Sequence, residues 1–160
     1  MIWVCRPGKH GDDFNQVHQY GDIFLAWDGY HLDLHAFSTR EQFKKLVIKE
    51  KNPSTRSTVS NWAGQLYSFC CEMKKGDYVL VPNHNAKEFL FAQITGGYRY
   101  EPTRQYPHVR KIDVVVEKIP RSLFSQPTQY SLGAYRTIFK VKQEEEILRI
   151  MKVESLKKRV

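Results

Sequence analysis

Hydrophobic positions in this chain fall into two rhythms, short uninterrupted runs and stripes spaced three or four residues apart. Ile2-Trp3-Val4-Cys5 is a run stopped by Pro7-Gly8, and Asp22 to Trp27 is a second stopped by Asp28-Gly29. Both predict buried strands that end in polar loops. Ser38-Thr39-Arg40-Glu41 has the order of a capping box, and Phe43, Leu46 and Val47 supply one apolar face of a helix ending before Asn52-Pro53. A polar stretch, 53–58, leads into a helix in which Val59, Trp62, Leu66, Phe69, Cys70 and Met73 recur at the period of a buried stripe. After the Gly76-Asp77 turn, Tyr78 to Pro82 and Phe89 to Ile94 predict a hairpin, with Asn83 to Ala86 between the strands and Gly96-Gly97 closing it. Lys111 to Glu117 alternates as a strand and stops at Pro120, 121–124 predicts one helical turn, and Thr137 to Val141 a last strand. Glu144 to Lys157 reads as a charged helix with Ile147, Leu148, Met151 and Leu156 inward. Short strands interrupted by two or three helices predict an α+β domain around a small curved or barrel-like mixed sheet.

Composition sharpens this to one domain with a real core, since 41% of the 160 residues are hydrophobic and 13% aromatic. The formal net charge of +8 favours a polyanionic partner, because basic surfaces steer nucleic acid and gain affinity by releasing its counterions. Part of that excess sits in Lys157-Lys158-Arg159, which serves equally well to solubilise a terminus. Cys5, Cys70 and Cys71 are an odd set with an adjacent pair, which argues against a disulfide framework and for a reducing compartment. No Cys-x-x-Cys or paired Cys/His spacing suggests zinc, and neither a metal nor another cofactor is expected. Without a signal peptide or a run of membrane-spanning length, the expected protein is cytoplasmic and makes no membrane contact.

Candidate chemistry begins with Ser60-Asn61-Trp62, where an aromatic flanked by polar residues sits inside a helix that feeds a strand. Such a feature suggests a base-stacking pocket more than a catalytic centre. Trp27 is the first candidate wall, as it ends an apolar run and is followed by Asp28; capping the core is the alternative role. Trp62 is the second, and its place on the apolar stripe suits core packing equally. Trp3, within a buried strand, is expected in the core. Asn61 and Ser60 offer polar groups to a base edge, or simply cap the helix, and Asp28 would accept from an exocyclic amine, or serve the turn. Arg6 and Lys9 after the first strand, with Arg99, Arg104, Arg110 and Lys111, are candidate phosphate contacts. The arginines between Tyr98, Tyr100 and Tyr106 make that loop a second contact surface, or a solvated basic loop.

An enzyme is not expected. Asp113 with Glu117-Lys118 superficially resembles a magnesium nuclease, but the glutamate and lysine are adjacent where that chemistry needs a residue between them. No nucleophile elbow, P-loop or dinucleotide fingerprint follows any strand.

Three stretches together resemble a known group. Ile2-Trp3-Val4-Cys5-Arg6-Pro7-Gly8, Asn61-Trp62-Ala63-Gly64-Gln65-Leu66, and Met73 to Leu80 followed by Phe91 to Gly96 are similar in order and spacing to EVE domains of the PUA-like group, relatives of the YTH readers. They especially resemble the EVE-like modules at the front of Mrr-type and other modification-dependent restriction proteins, and the resemblance covers residues 1 to 142. It implies a pseudobarrel flanked by helices that binds a flipped, commonly modified base of DNA or RNA in an aromatic pocket. It also implies that a nuclease or other effector would follow, with 143–160 a linker helix. The leading expectation is a non-catalytic reader of modified DNA. A PUA-like RNA-binding module, or a structural or oligomerisation domain using the last helix, are the alternatives.

Overall fold

The computed structural model describes residues 1–8 and 11–157. Its sheet runs in the order β2-β6-β4-β3-β1-β7, with β5 pairing to β6 on the edge opposite β2, since Val109 faces Phe24 on one side and Arg99 on the other. The strands are β1 (Ile2–Cys5), β2 (Asp22–Phe24), β3 (Tyr78–Asn83), β4 (Glu88–Ile94), β5 (Arg99–Tyr100), β6 (His108–Pro120) and β7 (Ile138–Lys140). Only β1 and β3 pair in parallel. Among the described residues five α-helices flank it: α1 (Gly11–Tyr20), α2 (Arg40–Lys51), α3 (Arg56–Tyr67), α4 (Gln126–Leu132) and α5 (Glu144–Lys157). The architecture is α+β, a curled, open half-barrel. Its curl comes from β6, which is 13 residues long and pairs with β2 and β5 through its first half and with β4 through its second. Register shifts opposite Phe91, and a left-handed φ of 54° at Lys118, mark irregular pairing that bends the strand.

Helices on both faces explain why the strands read as unbroken apolar runs. Alternate residues enter two cores: Trp3, Cys5, Val79, Val81, Leu90 and Ala92 face the larger one, with side chains from α1, α2 and α3. Ile2, Val4, Leu80, Phe89 and Phe91 face the smaller one, with Leu132 of α4 and Ile147 and Met151 of α5. Trp3 is core, and its Nε1 donates to the Asp77 carboxylate at 3.0 Å.

Several expectations shift. The capping box lies one residue later than expected, with Thr39 as cap and Gln42 closing it, while Asn52 ends α2 in the left-handed conformation. α3 continues into a π-helical turn, Ser68–Glu72. The hairpin turns at 84–87, since Lys87 N–H donates to His84 C=O, so Gly96-Gly97 lies beyond the hairpin and not at its turn. β2 stops at Phe24 because its partner β6 begins at His108, whose carbonyl accepts from Leu25 N–H; beyond that no ladder is left for Trp27 to join. In α5, Leu148 and Leu156 are exposed. At about 100° per residue they stand roughly 100° and 180° round the helix from Ile147, off the buried face. Two helices, α1 and α4, carry no clear stripe in the sequence. In α1 Phe14 and Val17 carry the inward side, and its Asp13 packs so tightly on Gly8 that a Cβ there would collide with the carboxylate, at a φ of 123° that itself favours glycine.

A buried polar relay pins the loop that carries Trp27. His108 Nε2 lies 2.7 Å from Tyr30 C=O and must be the protonated nitrogen. Nδ1 therefore accepts from Tyr98 Oη at 2.7 Å, which itself accepts from Leu34 N–H at 3.0 Å. Desolvation by burial, aided by His31, lowers the His108 pKa, although the Tyr30 hydrogen bond opposes it. A base with a depressed folded pKa stabilises the fold above its unfolded value of about 6.5 and loses that contribution as pH falls through the folded one. Thermal melts between pH 7.5 and 5 should show a steeper acid loss in the wild type than in His108→Gln; equal slopes would remove the histidine from that role.

Candidate nucleic-acid interface

Trp27 follows β2 into a loop that turns at Gly29, whose φ is 91°. Its ring is half-buried at the rim of the larger core, tilted against Tyr30 at 6.2 Å between centroids. Nε1 donates to Thr137 Oγ1 at 2.9 Å, which fixes the plane of the indole. Asp28 beside it is exposed. Across from Trp27, α3 presents Ser60 and Asn61 to solvent and holds Trp62 half-buried against the same core. Neither Ser60 nor Asn61 caps α3, because Thr55 does so, its hydroxyl accepting from Thr58 N–H.

What joins these elements is Gln65, a buried amide absent from the sequence-derived site. Its Oε1 accepts from the Thr137 and Ile138 amides, each at 3.0 Å, so the segment entering β7 is clipped to α3. Two backbone donors determine which end of the amide is oxygen, and Nε2 must face the other way, donating to Asn61 Oδ1 at 2.7 Å. That in turn orients Asn61. Trp27 and Gln65 thus meet at Thr137, with Asn61 joined to them through Gln65, and the signal available beforehand was a polar residue set within an apolar stripe, which must find partners when buried.

The expected phosphate contacts divide sharply. Lys9 lies outside the described residues. Arg110 is 3% exposed and donates to Phe69 C=O at 2.6 Å, Cys70 C=O at 3.2 Å and Gly96 C=O at 3.3 Å. Burial lowers its pKa from the usual value, and it points inward, away from any phosphate. Arg104 is spent on Asp22 through two hydrogen bonds of 2.9 and 3.0 Å and lies over the Tyr20 ring at 3.5 Å. The tyrosines of that loop also turn inward, with Tyr98 and Tyr106 buried, so it is not the aromatic contact surface expected. Arg99 and Lys111 are exposed, though Arg99 is paired with Glu101 at 3.2 Å. Arg6 is gripped by three carbonyls, of Leu132, Ala134 and Arg136, between 2.7 and 3.3 Å. A cation held by carbonyls keeps its charge, and Arg6 is only partly buried, so it stays available at the surface.

Among the described residues, no three or more His, Cys, Asp or Glu side chains gather as a metal site. None of the described helices is long and apolar enough to cross a membrane. An α+β half-barrel with an indole and an amide pair at its rim is the class of domain these elements define. By sequence the chain belongs to a family described as a domain of unknown function (DUF8426), which matches residues 3–142 and so ends before α5. No curated protein matches it.

Proposed function

We propose that this domain is a non-catalytic nucleic-acid reader that stacks an extruded, modified DNA base on Trp27. The observation that carries the reading is the meeting of Trp27 with the Asn61–Gln65 amide pair at Thr137. A base outside the helix offers its π-face and its whole polar edge at once. An indole locked through its Nε1 loses little freedom on stacking, and Asn61, whose oxygen is engaged, has its NH2 group to donate to an acceptor on the base. The net charge of +8 supports the partner class, and the likeness to EVE-like modules of restriction proteins supports modified DNA and an effector encoded beyond this domain.

Stacking on one ring gives about 1–3 kcal/mol, similar to what unstacking costs, so Trp27 alone does not provide net affinity. Asn61 adds a polar contact to it, while Trp62 packs against the larger core. A buried methyl contributes about 0.8 kcal/mol, near fourfold, so stronger preference must come from easier flipping of a weakened pair.

The test is anisotropy titration of matched duplexes carrying no modification, N6-methyladenine, 5-methylcytosine or 5-hydroxymethylcytosine, at two salt concentrations. Wild type should prefer one modified duplex at both, and Trp27→Ala should lose about 5- to 150-fold on that duplex while keeping weak, salt-sensitive binding. Full discrimination by Trp27→Ala would sink the assignment.

A further inference from the structure

The segment 132–137 has two sides. Thr137 receives Trp27, while the carbonyls of Leu132, Ala134 and Arg136 grip Arg6, which lines a cleft of about 200 Å³. The β3–β4 turn, the residue after β6 and α4 complete this cleft, bringing His84, Lys87 and Arg121 around it with Glu88 as the one carboxylate among the described residues of its lining. Lys87 and Arg121 are held side by side, since Arg121 N–H donates to Lys87 C=O at 3.0 Å, and Lys87, at a left-handed φ of 53°, closes the turn just before β4. Three permanent cations against one carboxylate make an anion site. The same helix and loop carry Tyr130 and Tyr135, which are 89% and 101% exposed. Tyrosine normally buries its ring, and two fully exposed rings five residues apart beside a basic cleft call for a partner with flat apolar faces as well as negative charge.

We infer that this cleft is the track of an unpaired nucleic-acid strand, with its phosphates on Arg6, Lys87 and Arg121 and its bases against Tyr130 and Tyr135. The inference rests on the nucleic-acid reading above and adds the state of the strand and its path. A free phosphate or phosphorylated side chain would use the cations but leave the rings idle. Paired bases are covered by their neighbours above and below, whereas an unpaired base has a free face for a tyrosine that stands clear of the surface. The position next to the Trp27 segment lets one strand engage both sides of 132–137.

The experiment uses the whole chain and a fluorescein-labelled single-stranded oligonucleotide, its blunt duplex and the modified duplexes, over a salt series. Lys87→Ala/Arg121→Ala should reduce the slope of log affinity against log salt on the single strand by about 1.4, or roughly 0.7 for each phosphate contact. Tyr130→Ala/Tyr135→Ala should weaken single-strand binding at least about 20-fold with the slope unchanged, and affect the blunt duplex far less. Lys45→Ala/Lys49→Ala on α2 removes equal charge elsewhere and should leave the slope in place. All six side chains are exposed, and a circular-dichroism melt confirms folding. Equal slope loss in the α2 pair, or single-strand affinity indifferent to the tyrosines, overturns the cleft. Silent cleft variants beside a Trp27→Ala that loses base preference overturn the cleft and leave the reader standing. Sensitive cleft variants beside a Trp27→Ala without effect uphold the cleft and overturn the reader. A wild-type chain that binds neither probe at low salt overturns both.

Discussion

Arg110→Ala should lower the stability of this fold by about 4 kcal/mol, read as a fall in urea midpoint without a change in slope. The guanidinium does the work of a helix cap. α3 ends in the π-helical turn Ser68–Glu72, and the final carbonyls of a helix have no amide four residues ahead to receive. Arg110 reaches across from β6 to donate to two of them, at Phe69 and Cys70, and to Gly96 in the loop after β4. The negative end of the helix dipole favours the charge at that place. Each buried acceptor stripped of a charged donor costs about 1.5–3 kcal/mol, reduced where water or relaxation recovers a bond. Arg110→Lys should recover only part of the loss, because one ammonium cannot span three carbonyls that a planar fork reaches. A loss below about 1 kcal/mol for the alanine variant would mean that water reaches these carbonyls freely.

The second large effect is expected at Arg104. Asp22 is 2% exposed and Arg104 11%, and the two form a fork of paired hydrogen bonds with the Tyr20 ring behind the guanidinium. Arg104→Ala leaves a buried carboxylate with Arg99 no closer than 3.9 Å, and should cost about 3–5 kcal/mol. Removing both charges, in Arg104→Ala/Asp22→Asn, should cost much less than the two single losses added together. Additive losses in that double-mutant cycle would show that the fork holds nothing together. Both arginines appear in the sequence as basic residues among tyrosines, the pattern of a nucleic-acid surface, and both are consumed by the fold.

Arg6 shows why the distinction escapes a linear reading. It too is held by carbonyls, yet it keeps an outer face on the cleft, and nothing in its neighbours Cys5 and Pro7 separates it from Arg110. Its partners lie 126 to 130 residues away, and those of Arg110 lie 14 to 41 away. Basic residues that look alike in the chain become a cap, an ion-pair member or a surface cation according to which distant carbonyl or carboxylate meets them. Tyr130 and Tyr135 were equally silent, because exposure on a short helix and its following loop leaves no periodic trace.

Burial on two faces leaves its mark locally, as unbroken apolar runs for β1, β3 and β4 and a three- and four-residue stripe for α3, so the α+β class and most strands follow from the order of residues. Capping chemistry is local as well, and Asn52 ends α2 at the expected place. Folding in three dimensions was needed to curl β6 into a half-barrel, to bring Trp27 and the Asn61–Gln65 pair together through Thr137, and to sort free cations from spent ones. Hydrophobic periodicity is a property of neighbours in the chain, whereas the partner of a buried amide or guanidinium is chosen by the packing of segments far apart in it.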